Sequence, residues 1–330
     1  MVLNKNIKIF INYFLGPTLF IWLSFSIYRQ ISAQKEVATS WLIIRKSFGS
    51  VKMFYLFIAV LLIPVNWGLE ALKWKRSIGH LMNISFKHAF KAVLSGVSFS
   101  VTIPNRIGEY LGRVIYLPEG YRLKAVSATI VASFAQLLIT LIAGCIGMLL
   151  LKNYLLVSII PVLWYRFIIY GLTATTLLLL LLFFNIAGSV GWFNRWIKNQ
   201  KYLYLVEALR DFSWPILIQL LFISLVRYLV FIIQYFLIFR LFNVDLPAGV
   251  IAEVMSVVFL FMAVVPSVAL LEIGIRGEIC LKLIGLFSAN ALGTGLTSVT
   301  VWLINLILPA IVGSLFLVNM NVFKRNNEVV

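Results

Sequence analysis

The apolar residues of this chain come in long runs separated by short polar segments, a pattern typical of a protein that crosses a membrane several times. A spanning helix needs about 20 mostly apolar residues in succession. Runs of this kind cover residues 7–28, 53–72, 125–151, 165–185, 214–242 and 296–318. They predict six membrane-spanning α-helices. The polar segments 29–52, 73–91 and 188–213 predict interfacial helices, with Trp41, Trp74, Trp192 and Trp196 at the level of the lipid headgroups.

Two further apolar runs, 86–117 and 250–286, are interrupted near their middle by proline, glycine and charge. The first contains "TIPNRIGEYLGR" (102–113) and the second "VVPSVALLEIGIRGE" (264–278). Irregular backbone occurs at membrane depth only where protein or water surrounds it. We therefore predict two re-entrant hairpins, and an all-α polytopic membrane fold of about six transmembrane helices plus these hairpins.

The composition supports a single integral membrane domain over residues 1–330. Hydrophobic residues make up 62% and charged residues 12% of the chain, whereas soluble domains carry about 25% charged residues. The first apolar run has no small-residue cleavage site and is interpreted as a retained helix. Cys145 and Cys280 lie in apolar segments, which favours buried thiols over a disulfide or a metal site.

The net charge of +17 lies mainly in the loops beside the spans, which favours contact with anionic headgroups over nucleic acid. If each hairpin enters and leaves the membrane on the same side, Lys and Arg are more abundant on the side of the membrane that holds the N-terminus. This bias predicts cytoplasmic N- and C-termini in the cytoplasmic membrane. The basic residues Arg45, Lys46 and Lys52 oppose this orientation.

In this topology the first hairpin enters from inside and the second from outside. Each contains Ile-Gly flanked by charge, in "RIGE" (106–109) and "EIGIR" (272–276). Interrupted segments at corresponding places with opposite orientation are typical of inverted-repeat transporters, whose site lies near the midplane. The pattern predicts repeat halves 1–160 and 161–330.

The charged residues of the first hairpin have the chemistry of a phosphate site. Pro104 ends the incoming segment, and Gly108 leaves room for a headgroup. Arg106 and Arg113 lie about two helical turns apart and offer planar forks that suit phosphate. Glu109 can balance both when no ligand is bound. The alternative is that these charges only neutralise one another.

The second hairpin supplies Glu272, Gly274, Arg276 and Glu278 as further substrate-binding candidates. Arg227 lies in the middle of a predicted span, where a charge is costly and usually either forms a pair or has a function. It either forms a structural pair with Glu253 or Glu70, or contacts a lipid phosphate.

The stretch "TIPNRIGEYLGRVIYLPEG" resembles the signature of the lysylphosphatidylglycerol synthase transmembrane-region family, also called the flippase-like or UPF0104 family. The family usually reads Pro-x-Arg-x-Gly-Glu and then a second Arg, which here are Pro104, Arg106, Gly108, Glu109 and Arg113. "EALKWKRSIGHLMNISFKHAFKAVLSG" and "VVPSVALLEIGIRGEICLKLIGL" look like the family's basic element and second motif. The second motif departs from the family pattern at Glu272, Gly277 and Glu278.

The resemblance implies movement of a lipid. We expect a flippase or transporter of an anionic phospholipid or a lipid-linked sugar intermediate, without a cofactor or a metal. No hydrolase, metal or nucleotide motif is present, and no soluble domain accompanies the spans, so lipid aminoacylation is not predicted. The alternatives are an intramembrane transferase with Glu109 or Glu272 as base, and a noncatalytic partner of an envelope-synthesis enzyme. A homo-oligomer is compatible with each.

Overall fold

The structure, a computed structural model, describes residues 50–102, 107–158, 161–188, 208–264 and 269–318, and these are helical without any β-strand. The helices are α1 Met53–Ile78, α2 Phe86–Thr102, α3 Ile107–Val114, α4 Glu119–Leu150, α5 Lys152–Ser158, α6 Val162–Phe184, α7 Trp214–Leu241, α8 Ala248–Val264, α9 Ala269–Ile284, α10 Ala291–Trp302 and α11 Leu308–Val318. A π-helical turn, Leu303–Ile307, joins α10 to α11.

Five segments of the described chain are long and apolar enough to cross a membrane: α1, α4, α6, α7 and the continuous unit Ala291–Val318. They confirm five of the six predicted spans, and the predicted span 7–28 lies outside the described residues. Pro118 and Pro161 immediately precede α4 and α6. Proline suits a helix start because the first backbone N–H groups have no partner within the helix.

The interfacial helix predicted over 73–91 is wrong. Residues 73–78 complete α1, and α2 begins at Phe86. The side chains of Lys73 and Trp74 are buried, and Trp74 Nε1 donates a hydrogen bond to Thr129 Oγ1 at 3.0 Å. The polar face of α1 packs against protein rather than lipid. The helix therefore continues to Ile78, beyond the end of its apolar run at residue 72. The other two predicted interfacial segments, with Trp41, Trp192 and Trp196, fall almost wholly outside the described residues.

Each interrupted region contains two helices, α2 with α3 and α8 with α9, and the residues between them, 103–106 and 265–268, lie outside the described residues. The first pair packs backbone against backbone through glycines. A Cβ on Gly112 would lie 2.4 Å from the Cα of Gly96, and a Cβ on Gly108 would lie 2.3 Å from the carbonyl carbon of Phe99. Only glycine permits this spacing.

The chain enters and leaves the two helix pairs at opposite ends of the helix bundle. At one end, called the His80 end, the rings of His80 and Phe212 are 4.8 Å apart, and His88 Nε2 lies 2.9 Å from the carbonyl oxygen of Tyr116. His88 lies in the first turn of α2, and Tyr116 follows the end of α3. The start of α2 and the end of α3 therefore both lie at the His80 end.

At the opposite end, called the Lys52 end, Lys52 binds Asn243. Asn290 Nδ2 donates to the carbonyl oxygens of Phe242 and Asn243 at 3.0 and 3.1 Å. These residues flank the second helix pair. Because α1 runs from Lys52 toward His80, the two pairs enter the bundle from opposite ends. The division into repeat halves 1–160 and 161–330 stays a prediction.

Candidate functional site: a buried charge cluster between three helices

A cluster of five charged side chains lies inside the bundle, with Glu70 at its centre. Glu70 Oε2 is 2.8 Å from Lys73 Nζ and 2.9 Å from Arg227 Nη1, and Glu70 Oε1 is 3.0 Å from Arg113 Nη2. Arg113 Nη2 also donates to Glu109 Oε2 at 3.1 Å. These five residues are called the Glu70 cluster.

The cluster joins α1, α3 and α7, which are distant in the sequence. On α1, the buried residues Asn66, Glu70, Lys73 and Ser77 follow one another at spacings of three or four. Such residues share one face of a helix. That face turns toward α7 and the first hairpin, so the polar residues of α1 are sealed from lipid.

The glycine packing of the first hairpin places Arg113 in the cluster. A Cβ on Gly96 would approach the backbone oxygen of Glu109 to 2.7 Å and Cγ of Arg113 to 3.3 Å. The short helix α3 therefore lies directly on α2, with its acidic and basic side chains toward α1. The space beside Gly108 is taken by backbone of Phe99, so this glycine serves helix packing. Its predicted contact with a headgroup stays a prediction.

Arg113 has donors that the described protein does not use. Its side chain is only 1% exposed, yet Nε and Nη1 are buried without a hydrogen-bond acceptor among the described residues. A guanidinium has five N–H donors and no acceptor, and leaving buried donors unpaired is costly. These two nitrogens of Arg113 are therefore suited to an acceptor that the described residues do not supply.

The described cluster also carries more positive than negative charge. Three cations, Lys73, Arg113 and Arg227, face the two carboxylates Glu70 and Glu109. Buried charges of one sign repel strongly at low dielectric unless they are balanced. An anion is thus the ligand that this arrangement favours.

Arg227 is held by several contacts besides Glu70. Its Nε donates to Asn66 Oδ1 at 2.8 Å, and its guanidinium lies 5.3 Å from the ring centroid of Trp67 and 5.4 Å from that of Phe231. Of the alternatives for this residue, the pair with Glu70 is present. This pair does not remove the option of a ligand contact, because Glu70 is shared with two other cations.

A row of amide side chains continues from Arg227 toward the Lys52 end. Asn66 Nδ2 donates to Asn305 Oδ1, Asn305 Nδ2 donates to Gln234 Oε1, and Gln234 Nε2 donates to the carbonyl oxygen of Ala59, each at 3.0 Å. Asn305 lies in the π-helical turn, a distortion that often marks functional positions. This amide row links α1, α7 and the last span.

The candidates of the second hairpin lie on α9 in a separate group. Arg276 pairs with Glu272, and Gly274 and Gly277 have open space where a Cβ would stand. Glu278 pairs with Lys282 at 3.0 Å, and both are largely exposed. No ion pair among the described residues joins this group to the Glu70 cluster.

The structure thus brings together three predicted site residues, Glu109, Arg113 and Arg227, while Pro104 and Arg106 lie outside the described residues. The sequence reasoning assigned no site role to Lys73 and named Glu70 only as a structural partner of Arg227. The available signal was a carboxylate and a lysine one turn apart at the end of an apolar run, since a charge within a span usually pairs or functions.

These features define a polytopic α-helical membrane protein with a charged interior site. The family model described as lysylphosphatidylglycerol synthase TM region matches residues 15–313, and the chain belongs to this family. It is accordingly a lipid-related membrane protein with a flippase-like domain. No curated protein and no solved structure matches the chain.

Proposed function

We propose that the protein moves an anionic phospholipid or an anionic lipid-linked intermediate across the cytoplasmic membrane, without covalent chemistry. The observation that carries this proposal is the buried guanidinium of Arg113, whose Nε and Nη1 find no acceptor in the part of the chain that the structure describes. Arg binds phosphate oxygens through paired parallel hydrogen bonds. A lipid phosphate is the anion that a membrane protein of this family meets at highest concentration.

Access to the cluster runs past its less buried members. The side chains of Glu109 and Arg227 are 21% and 13% exposed, whereas those of Arg113 and Lys73 are 1% exposed. A headgroup arriving beside Glu109 would accept hydrogen bonds from Nε or Nη1 of Arg113 and compete with the carboxylates for its Nη2. Glu70 would then hold Lys73 and Arg227 in place.

The geometry gives less support to an intramembrane transferase. Its candidate bases, Glu109 and Glu272, are each paired with an arginine one turn away. A general base must lie within hydrogen-bond reach of the substrate proton, whereas each of these carboxylates is engaged by a guanidinium instead.

The test is translocation of fluorescent phosphatidylglycerol and phosphatidylcholine in proteoliposomes, with and without a pH gradient. The wild type should move the anionic lipid and form no new lipid product. Arg113→Lys should slow this about tenfold or more, because hydrogen bonds to charged groups contribute about 1.5–3 kcal/mol each. Its melting temperature should stay near that of the wild type, since Lys keeps the charge beside Glu70.

Arg240→Lys is the matched control, because Arg240 pairs with Asp245 at the bundle surface and should transport normally. Wild-type rates in Arg113→Lys would refute the role of the guanidinium edge. Formation of a covalently altered lipid would instead select the transferase.

A further inference from the structure

A second basic site lies at the Lys52 end, away from the Glu70 cluster. A cavity of about 540 Å³ opens between the end of α4, the short helix α5 and the first half of α6. Lys152 and Arg166 both line it, together with Tyr170 and Thr173, while Leu149 and Ile169 provide apolar wall. The volume lies within the range of small-molecule sites, about 300–1,000 Å³.

The wall of this cavity is anchored to the bundle. Tyr165, which also lines it, is buried, and its hydroxyl donates to the carbonyl oxygen of Met148 at 3.0 Å. This bond fixes the start of α6 against the end of α4. Arg166, Tyr170 and Thr173 follow at spacings of four and three, so they form one stripe along α6.

The cavity lies where headgroups meet acyl chains. The candidate span α4 ends at Leu150, and the candidate span α6 begins at Val162. Lys152 and Arg166 therefore lie near the membrane boundary. Tyr170 and Thr173 lie deeper along the same helix. The face of α6 is open to lipid, with Tyr170 72% exposed. The basic residues at the cavity entrance suit a lipid headgroup, and the apolar surface deeper along α6 suits an acyl chain.

Within the part of the chain that the structure describes, no carboxylate pairs with the two basic residues of this cavity. The sequence contains no Asp or Glu from residue 120 to residue 206. No ion pair within the described ranges joins Lys152 or Arg166 to a carboxylate; those found involve other cations. Isolated basic residues at span ends extend into the headgroups. Two cations that line one cavity repel each other unless an anion lies between them.

We propose that this cavity binds one anionic membrane lipid, with its phosphate between Lys152 and Arg166 and an acyl chain along Ile169 and Tyr170. Arg166 offers its fork to two phosphate oxygens, and Lys152 adds a point charge. This lipid remains bound at one end of the bundle and is not the transported one. The proposal is independent of transport, because the Glu70 cluster lies on α1, α3 and α7.

The experiment is native mass spectrometry of the purified full-length protein with equal amounts of phosphatidylglycerol and phosphatidylcholine. The wild type should retain one phosphatidylglycerol in preference. Lys152→Gln combined with Arg166→Gln should lower its retention about 25-fold, since each basic residue near an anionic surface contributes roughly a factor of five. Arg166→Lys should fall between the two, because it keeps the charge and loses the fork.

The matched control is Arg240→Gln combined with Lys282→Gln. It removes the same charge at the same end, but from residues already paired with Asp245 and Glu278, and should retain lipid as the wild type does. Millimolar inorganic phosphate should not displace the lipid. Displacement by phosphate, equal retention of both lipids, or unchanged retention in the Lys152/Arg166 variant would each overturn the proposal.

Discussion

Glu70 on α1 and Arg227 on α7 meet at 2.9 Å inside the bundle, and the same carboxylate holds Lys73 and Arg113. One acidic residue therefore balances cations from three helices. Removing one partner of a buried pair is more harmful than removing the pair, because it leaves charge without compensation. This relationship makes the cluster both a structural joint and a site whose charge a ligand can change.

Glu70→Gln should therefore destabilise the protein strongly. It leaves three buried cations facing Glu109 alone, and breaking a buried pair costs about 3–5 kcal/mol. The measurement is thermal unfolding in detergent. Glu278→Gln is the control, since Glu278 pairs with Lys282 in solvent and exposed pairs contribute about 0–1 kcal/mol. Similar melting temperatures for the two variants would contradict the central role of Glu70.

A double-mutant cycle should show that Glu70 and Arg227 act together. Adding Arg227→Gln to Glu70→Gln should restore part of the lost stability, because the added change removes one uncompensated cation. An interaction energy above about 0.5 kcal/mol is expected for residues in contact. Strict additivity would mean that the two side chains do not pair in the membrane protein.

Gly112→Ala should disrupt the first hairpin. The added Cβ would stand 2.4 Å from the Cα of Gly96, and neither backbone can yield without separating α2 from α3. We expect a lower melting temperature and loss of transport together, because Arg113 would shift with α3. Gly171→Ala on α6 is the control, since nothing lies within 4 Å of its added Cβ. It should be neutral or stabilise by about 0.5–1 kcal/mol. A neutral Gly112→Ala would refute the close packing.

The stability of the His80 end should fall in mild acid. Burial lowers the pKa of His80 from its usual 6.5, with Asp211 opposing this. The unfolded chain then binds the proton more readily than the folded one, so stability is highest above pH 6.5. It decreases below pH 6.5 and stops decreasing below the folded pKa. Between pH 8 and pH 5, the melting temperature of the wild type should fall more than that of His80→Asn. Parallel curves would contradict it.

The predicted orientation can be tested by cysteine labelling at the two ends. In a background with Cys145→Ser and Cys280→Ser, Asn153→Cys should react with a membrane-impermeant thiol reagent added to intact cells. Lys87→Cys should react only after permeabilisation. Both native residues are exposed, at opposite ends of the bundle. Reversed labelling would invert the topology, although the two helix pairs would still open toward opposite ends.

The spans follow from the sequence because the energetics of lipid exposure act on each segment alone. A run such as 214–242 predicts a helix whatever its neighbours are, and the structure has it as Trp214–Leu241. The breaks at Pro104 and Pro266 likewise indicate the two interrupted helices. The predicted interfacial helix over 73–91 was wrong because Lys73 and Trp74 are buried in protein. Polarity alone does not distinguish a side chain at the membrane surface from one buried in protein.

The sequence by itself therefore determined the class of protein, the five spans among the described residues and the two interrupted segments, since apolar length and helix breakers act locally. Only the tertiary structure decided that Glu70 is shared by Lys73, Arg113 and Arg227, and that Asn66 and Asn305 bridge the first and last described spans. Burial outside lipid and pairing across helices depend on which faces meet. That choice is made by packing, such as the contact of Gly112 with Gly96, and helix packing joins residues that are far apart in the chain.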